Sequence, residues 1–431
     1  MIPANEDAKN IGIENFFTST KGIGGRLRRT AEDFVVEEVS LPPERDDTGE
    51  FSIAQIRVKN WETNRLIRQL SRHLHISRKR IGFAGTKDRR AVTTQLFSIK
   101  APLEDIQKIS LKDVEILDCY PSKKDLSLGD LIGNRFHIAI SEIDGKSDIE
   151  EVVKNTSNEL NSLGGFPNFF GHQRFGTLRP ITHVMGKKII DGDFGGAVHA
   201  YLGNPVEIEG EEAFSARQAF EKDGDYAEGL RAYPKHLGFE RAMLNHLVTN
   251  ENDFVGAVAA LPKNLTWMFV HAYQSFLFNK ILSKRIEQGI LSNEPLIGDI
   301  ILPPDDNGLP DHKKWIDVTE DNIEKIARKV KEEKAFVSGL VPGTEARFAE
   351  GEQGEIERKV LKEEGMSFKD FAVPQMMELS SKGIRRELVA PMKDFSHEID
   401  GNSVKMHFEL MKGCYATSLL REFMKTDMMK Y

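Results

Sequence analysis

The chain's 431 residues, 39% hydrophobic and 29% charged, predict about two or three globular domains and exclude a disordered or collagen-like chain. The longest apolar run, Phe254 to Leu261, is far too short for a membrane span, and an N-terminal stretch bearing Glu6, Asp7 and Glu14 lacks the pattern of a secretory signal. A cytoplasmic protein with no membrane partner is expected, and its net charge of −8 argues at face value against a polyanionic ligand.

In chain order, Phe34–Val39 and Phe51–Val58 read as strands rich in Val, Ile and Phe, separated by the acidic, turn-rich Pro42–Gly49. Thr63 is placed to cap a helix running to about Leu74, with Leu66, Ile67 and Leu70 on its apolar face. Short strands follow at Ile81–Ala84 and Thr93–Ile99, and Arg135–Ile140 alternates as a half-buried strand does. Beyond Gly176 helical patterns dominate, including Leu265–Ile281 and the Ile323, Ile326, Ala327, Val330 stripe, with Pro303–Pro310 and Gly343–Gly354 as long connections. Strand grammar returns at Val404–Leu410, before a helix from about Ala416 to Lys425. The arrangement predicts an α+β fold: a mixed-sheet domain interrupted by a large, mostly helical insertion.

The average charge hides a local reversal. Between Asn64 and Arg90 nine cationic side chains (Arg65, Arg68, Arg72, Arg78, Lys79, Arg80, Lys87, Arg89 and Arg90) face one acid, Asp88, and Lys21, Arg26, Arg28 and Arg29 lie just upstream. Like charges at this density repel unless an anion compensates them, so the cluster points to a nucleic-acid backbone. Within it, Gly85-Thr-Lys-Asp88-Arg-Arg leaves a short strand through a glycine turn. Taken alone, Asp88 is either a turn-capping carboxylate or an ionised nucleophile or base amid cations. In Pro167-Asn-Phe-Phe-Gly-His-Gln-Arg-Phe-Gly176, aromatics interleave with amide and guanidinium groups, as base stacking and base-edge reading require; at least one of Phe169, Phe170 and Phe175 belongs to the core. The polar seam His271, Ser275, Asn279 on an otherwise apolar helix reads as hydrogen-bonded structure. His73 and His75 have no third ligand, and Cys119 and Cys414, far apart and without metal-ligand spacing, read as small core side chains, so no metal site is expected.

Four blocks in one order, Gly85–Gln95, Asn168–Gly176, Gln274–Asn279 and Gly413–Glu422, together with Glu32–Glu38, resemble the TruD family of pseudouridine synthases over nearly the whole chain. The resemblance implies a pseudouridine-synthase mixed sheet (residues 1–176 and 389–431), a TRUD insertion domain (177–388) and an RNA-holding cleft between them. It implies Asp88 as the catalytic carboxylate, with Phe34, Asn168, Phe170, Tyr415, Glu50, Arg28 and Lys87 around the substrate. Tyr415 stands where the family often has Phe, and Arg28 where it has Lys; Arg keeps the charge but does not release a proton. Arg65, Arg68, Arg72, Arg78, Lys79, Arg80, Arg89 and Arg90 are expected along the RNA backbone. The implied reaction isomerises a uridine of tRNA, usually uridine 13, without a cofactor or an obligate protein partner. The competing readings are a non-catalytic RNA-binding protein and an RNA hydrolase or nucleotidyltransferase; a pure binder gains nothing from Asp88, and a hydrolase or nucleotidyltransferase wants clustered carboxylates for metal ions, which the sequence around Asp88 lacks.

Overall fold

The structure, a computed structural model, describes residues 2–143, 148–290 and 293–431. Among these residues, nine strands form the main sheet: β1 (Gly24–Arg26), β2 (Phe34–Ser40), β3 (Phe51–Lys59), β4 (Ile81–Phe83), β5 (Val92–Ile99), β6 (Val114–Ser122), β7 (Leu131–Ile143), β8 (Lys393–Asp400) and β9 (Ser403–Met411). Their order is β8-β9-β7-β2-β5-β3-β6, with β1 on β7 and β4 on β5. The sheet is mixed: β2 and β5 run parallel, Val35 opposite Val92, while β7 pairs antiparallel with both β2 and β9. It therefore joins the first third of the chain to its end, as expected for an interrupted α+β domain.

Strand alternation sets the layers. Phe136, Ile138 and Ile140 of β7 and Val404, Met406, Phe408 and Leu410 of β9 point to one face, where they meet helix Ala416–Met424, all nine residues of which are buried. Helix Thr63–His73 covers a separate cluster, burying Leu66, Ile67 and Leu70 against Ile56, Val58 and Phe97. Each of those side chains contributes ~1.5–3 kcal/mol by burial, and Leu70→Ala is expected to cost ~2–5 kcal/mol. This helix is capped by Glu62, whose carboxylate accepts from Asn64 N and Arg65 N, not by Thr63. The helix at the chain's end stops at Met424, with Lys425 in the left-handed region at φ 47°.

Three strands lack a sequence signature: β1 is only three residues long, and β6 and β8 are the sheet's edges, whose few buried positions leave no clear hydrophobic alternation to read. A second core draws only on residues between Met185 and Leu379 and is mostly helical, built around the long helix Lys263–Glu287. A four-stranded sheet takes three strands from the same stretch (Ile300–Leu302, Ile316–Asp317 and Phe336–Val341) and one from just beyond it (Ile384–Glu387). The expected connection Gly343–Gly354 is shorter than predicted, because a helix begins at Gly351.

The N-terminal residues Ala4 to Phe16 pack against this second region. Asn279 Nδ2 donates to Ile11 O at 2.9 Å and Ser283 Oγ to Gly12 O at 2.9 Å. Gly12, at φ 82°, allows the approach: a Cβ there would lie 2.8 Å from Phe276 O.

Candidate active site

The loop between β4 and β5 carries Asp88, and side chains pin it from three directions. Gln95 Nε2 donates to Gly85 O at 2.9 Å, Lys87 N donates to Thr63 Oγ1 at 2.8 Å, and Lys87 Nζ reaches Glu38 Oε2 at 2.7 Å. Lys87 and Glu38 are 5% and 1% exposed, so this is a buried ion pair. Thr63, freed from capping, is one anchor of the loop. Asp88 itself projects outward, its side chain 46% exposed. Its Oδ2 accepts from Arg28 Nη2 at 2.7 Å and Gln173 Nε2 at 3.2 Å. Oδ1 has no donor among the described residues.

Arg28 occupies the left-handed region at φ 58°, lays its guanidinium 4.0 Å from the Phe34 ring centroid and leaves its Nε buried without a partner. Arg28, Phe34, Val36, Lys87, Asp88, Gln173 and Tyr415 are among the residues lining a cavity of about 160 Å³.

The opposite wall comes from distant segments. Asn168 is fully buried: Nδ2 donates to Glu387 Oε1 at 2.9 Å and Oδ1 accepts from Arg386 Nη2 at 2.7 Å. Both ends of the amide are occupied, so Asn168 shapes the loop and is not free to read a base edge or to bind substrate directly. Arg386 also donates to Gly413 O at 3.0 Å and sits 4.3 Å from the Phe170 centroid, joining the Asn168 loop to the turn before Tyr415. Burial pushes the Glu387 carboxyl up, but the hydrogen bond from His312 and the charge of Arg386 outweigh it and hold the group below its usual range.

Phe169 and Phe175 are core; Phe170 is half-buried, edge-on to Phe278 and 6.1 Å from Tyr415. The Phe170 ring stands beside the Asp88 cavity behind Tyr415 and faces a second cavity. Of the His271–Ser275–Asn279 seam, Ser275 and Asn279 are hydrogen-bonded as expected: Asn279 accepts from Phe170 N at 2.9 Å and donates to Phe170 O at 3.1 Å, and Ser275 Oγ donates to His271 O at 2.8 Å, while the His271 ring has no partner among the described residues.

Glu50 is not brought to the cavity. It pairs with Lys100 at 2.5 Å, and both are exposed; the buried glutamate beside the loop is Glu38. Strand parity held a signal for it: Phe34 and Val36 point inward, which turns Glu38 inward and demands a cation. Arg386 had no comparable signal. Neither cysteine is fully core; both are half-buried, and Cys414 lines the Asp88 cavity with its thiol pushed by burial to about 12, too high for a nucleophile at neutral pH.

Arg65, Arg68, Arg72, Arg78, Lys79, Arg80, Arg89 and Arg90 are all exposed. The ion pairs nearby use Arg28, Arg29 and Lys87 instead, and among the described residues none of the eight is paired.

A mixed sheet that opens on a carboxylate, with aromatic rings beside it and unpaired cations around it, defines an enzyme built to act on a base within a polyanion. Residues 10–423 match the family model described as tRNA pseudouridine synthase D (TruD). A Methanosarcina barkeri protein described as a probable tRNA pseudouridine synthase D is 44% identical, over 98% of each chain, and one from Thermococcus sibiricus is 39% identical over 95% of this chain and 97% of its own. The crystal structure of a Methanosarcina mazei protein described as a putative tRNA pseudouridine synthase D superposes with a TM-score of 0.87 at 42% identity, covering 99% of this chain and 100% of that one. The chain belongs to the tRNA pseudouridine synthase D (TruD) family, and it is an enzyme of the isomerase class.

Proposed function

We propose that the protein converts a uridine of tRNA, at position 13, to pseudouridine, with Asp88 as the catalytic carboxylate and the target base turned out of its stack into the Asp88 cavity. The carrying observation is the placement of Asp88: Oδ2 is held between Arg28 and Gln173 while Oδ1 is left to the substrate. The bond from uracil N1 to ribose C1′ breaks with its electron pair going to N1, the base rotates within the cavity, C5 bonds to C1′, the C5 proton leaves and N1 takes up a proton, so that the product is an isomer of the substrate and no cofactor is required. Attack on the ribose or base and removal of a ribose proton both use a carboxylate oxygen, and Oδ1 of Asp88 is the one that carries no bond to the described residues.

Turning the base out costs a few kcal/mol, and stacking on an aromatic ring returns ~1–3 kcal/mol; Tyr415, with Phe170 behind it, supplies the rings. Residues 177–388 act as the insertion domain and the RNA lies between it and the main sheet. The helical core confined to Met185–Leu379 supports that division. The exposed, unpaired arginines support a backbone track.

The test maps pseudouridine in tRNA after incubation with the protein and with Asp88→Asn. The variant should form no product while binding tRNA as well as before or slightly better, because one anion has left a cationic site. Near-normal turnover by Asp88→Asn would sink the reading.

A further inference from the structure

The half-buried Phe170 ring borders a second cavity of about 310 Å³, lined also by Arg174, His271, Ser275, Lys382 and Ile384. A single residue step divides it from the first. In the turn His172–Arg174, Gln173 lines the Asp88 cavity and bonds the carboxylate, while Arg174 lines the second and bonds Ser275 Oγ through Nε at 3.3 Å. Building on the proposed function, we propose that this second cavity binds the nucleotide adjacent to the target uridine in the same RNA strand.

Its chemistry is that of a nucleotide site. Phe170 is an aromatic plate already fixed by Arg386 and Phe278. Arg174 forms no ion pair among the described residues, and its two terminal nitrogens remain for a phosphate or a base carbonyl. His271 lines the cavity and its ring has no hydrogen-bond partner among the described residues; partial desolvation in the cavity wall and the neighbouring Arg174 hold its pKa below the ordinary value, leaving a neutral imidazole with one donor and one acceptor for a base edge. Ile384, 40% exposed, supplies apolar floor, and Lys382, paired with Glu345 at 3.0 Å, stands at the rim. An RNA with one base turned into the first cavity carries its neighbouring nucleotide past this opening. A protein partner would not need the two cavities side by side.

The test uses the full chain in the Asp88→Asn background, so that binding is read without turnover. The probes are intact tRNA and tRNA assembled by ligation with an abasic ribose immediately 5′ or 3′ of the target. Removing the base on the occupied side should weaken binding roughly tenfold, the scale of one base stacked on an aromatic ring. His271→Ala and Arg174→Met should weaken binding of intact tRNA, and with the matching abasic RNA the losses should not multiply. Multiplying losses, or indifference to both abasic positions, would overturn the site. Because His271 is exposed on a helix, His271→Ala keeps the test readable if Arg174→Met disturbs its turn. Conversion by Asp88→Asn would instead overturn the catalytic assignment and leave the binding cycle intact, so the two failures are distinguishable.

Discussion

The wall of the Asp88 cavity on the sheet side and the wall facing it use the same materials, a buried charged side chain and a loop tied to it, yet they are assembled over different distances along the chain. On the sheet side, the bonds that hold the loop join residues 10, 24 and 49 apart, and the clamp on Asp88 itself spans 60. On the facing side, Arg386 and Glu387 reach Asn168 across 218 and 219 residues, and Asn279 holds Phe170 across 109. Apart from the Gln173 bond to Asp88, the first wall is assembled from residues 28 to 95 of the sheet domain. The second exists only where the strand Ile384–Glu387 docks beside the Asn168 loop, which makes the facing wall dependent on contacts between distant parts of the chain.

Breaking each wall at its buried charge tests this difference. Glu38→Ala strands the Lys87 ammonium in a site 5% exposed, and removing one partner of a buried pair costs ~3–5 kcal/mol. Chemical denaturation should register that loss, and Glu38→Ala combined with Lys87→Met should recover much of it; a loss below ~1 kcal/mol would mean that the pair does not hold the loop. Arg386→Ala leaves the buried Asn168 Oδ1 and the Gly413 carbonyl without their donor, at ~1–3 kcal/mol for such acceptors. Single-turnover rate should fall more than tRNA affinity, since both loops that carry the rings lose their common tie. Arg386→Lys should restore the charge but not the fork, and with it only part of the rate.

The same contrast explains what the sequence makes legible. The Asp88 loop, the basic cluster and the inward face of β9 announce themselves through local spacing and alternation, which are properties of a few neighbouring residues. Arg386 sits in the pair Arg385-Arg386, where nothing distinguishes a buried strut from a surface arginine until the strand Ile384–Glu387 is docked. Thr63 illustrates a subtler limit: its hydroxyl suits a cap, but Glu62 takes the cap and Thr63 is drawn into the tertiary bond to Lys87. Glu50 is implied by the family resemblance alone, whereas strand parity at Glu38 carries a physical signal.

The arginine track belongs wholly to the sheet side, so its loss should spare both walls. Arg78→Ala with Arg80→Ala should leave stability almost unchanged, because both side chains are exposed, yet weaken tRNA binding and flatten its log–log salt dependence by roughly one unit per lost phosphate contact. Unchanged slopes would show these arginines to be a solvated face.

The smallest effect is expected at Tyr415, where the two walls meet. Its half-buried ring lines the Asp88 cavity and lies edge-on to Phe170, but among the described residues its hydroxyl has no hydrogen-bond partner. Whatever Tyr415 does for the fold it does with its ring. Tyr415→Phe should therefore change stability by no more than ~0.5 kcal/mol, the range of substitutions that break no specific contact, and should leave the rate within about threefold. Tyr415→Ala removes the ring and should slow conversion by roughly tenfold or more if ~1–3 kcal/mol of stacking is realised with the base turned out. Single-turnover rates for the two variants separate ring from hydroxyl. A Tyr415→Phe rate as low as that of Tyr415→Ala would mean that the hydroxyl, unpartnered within the protein, is spent on the RNA.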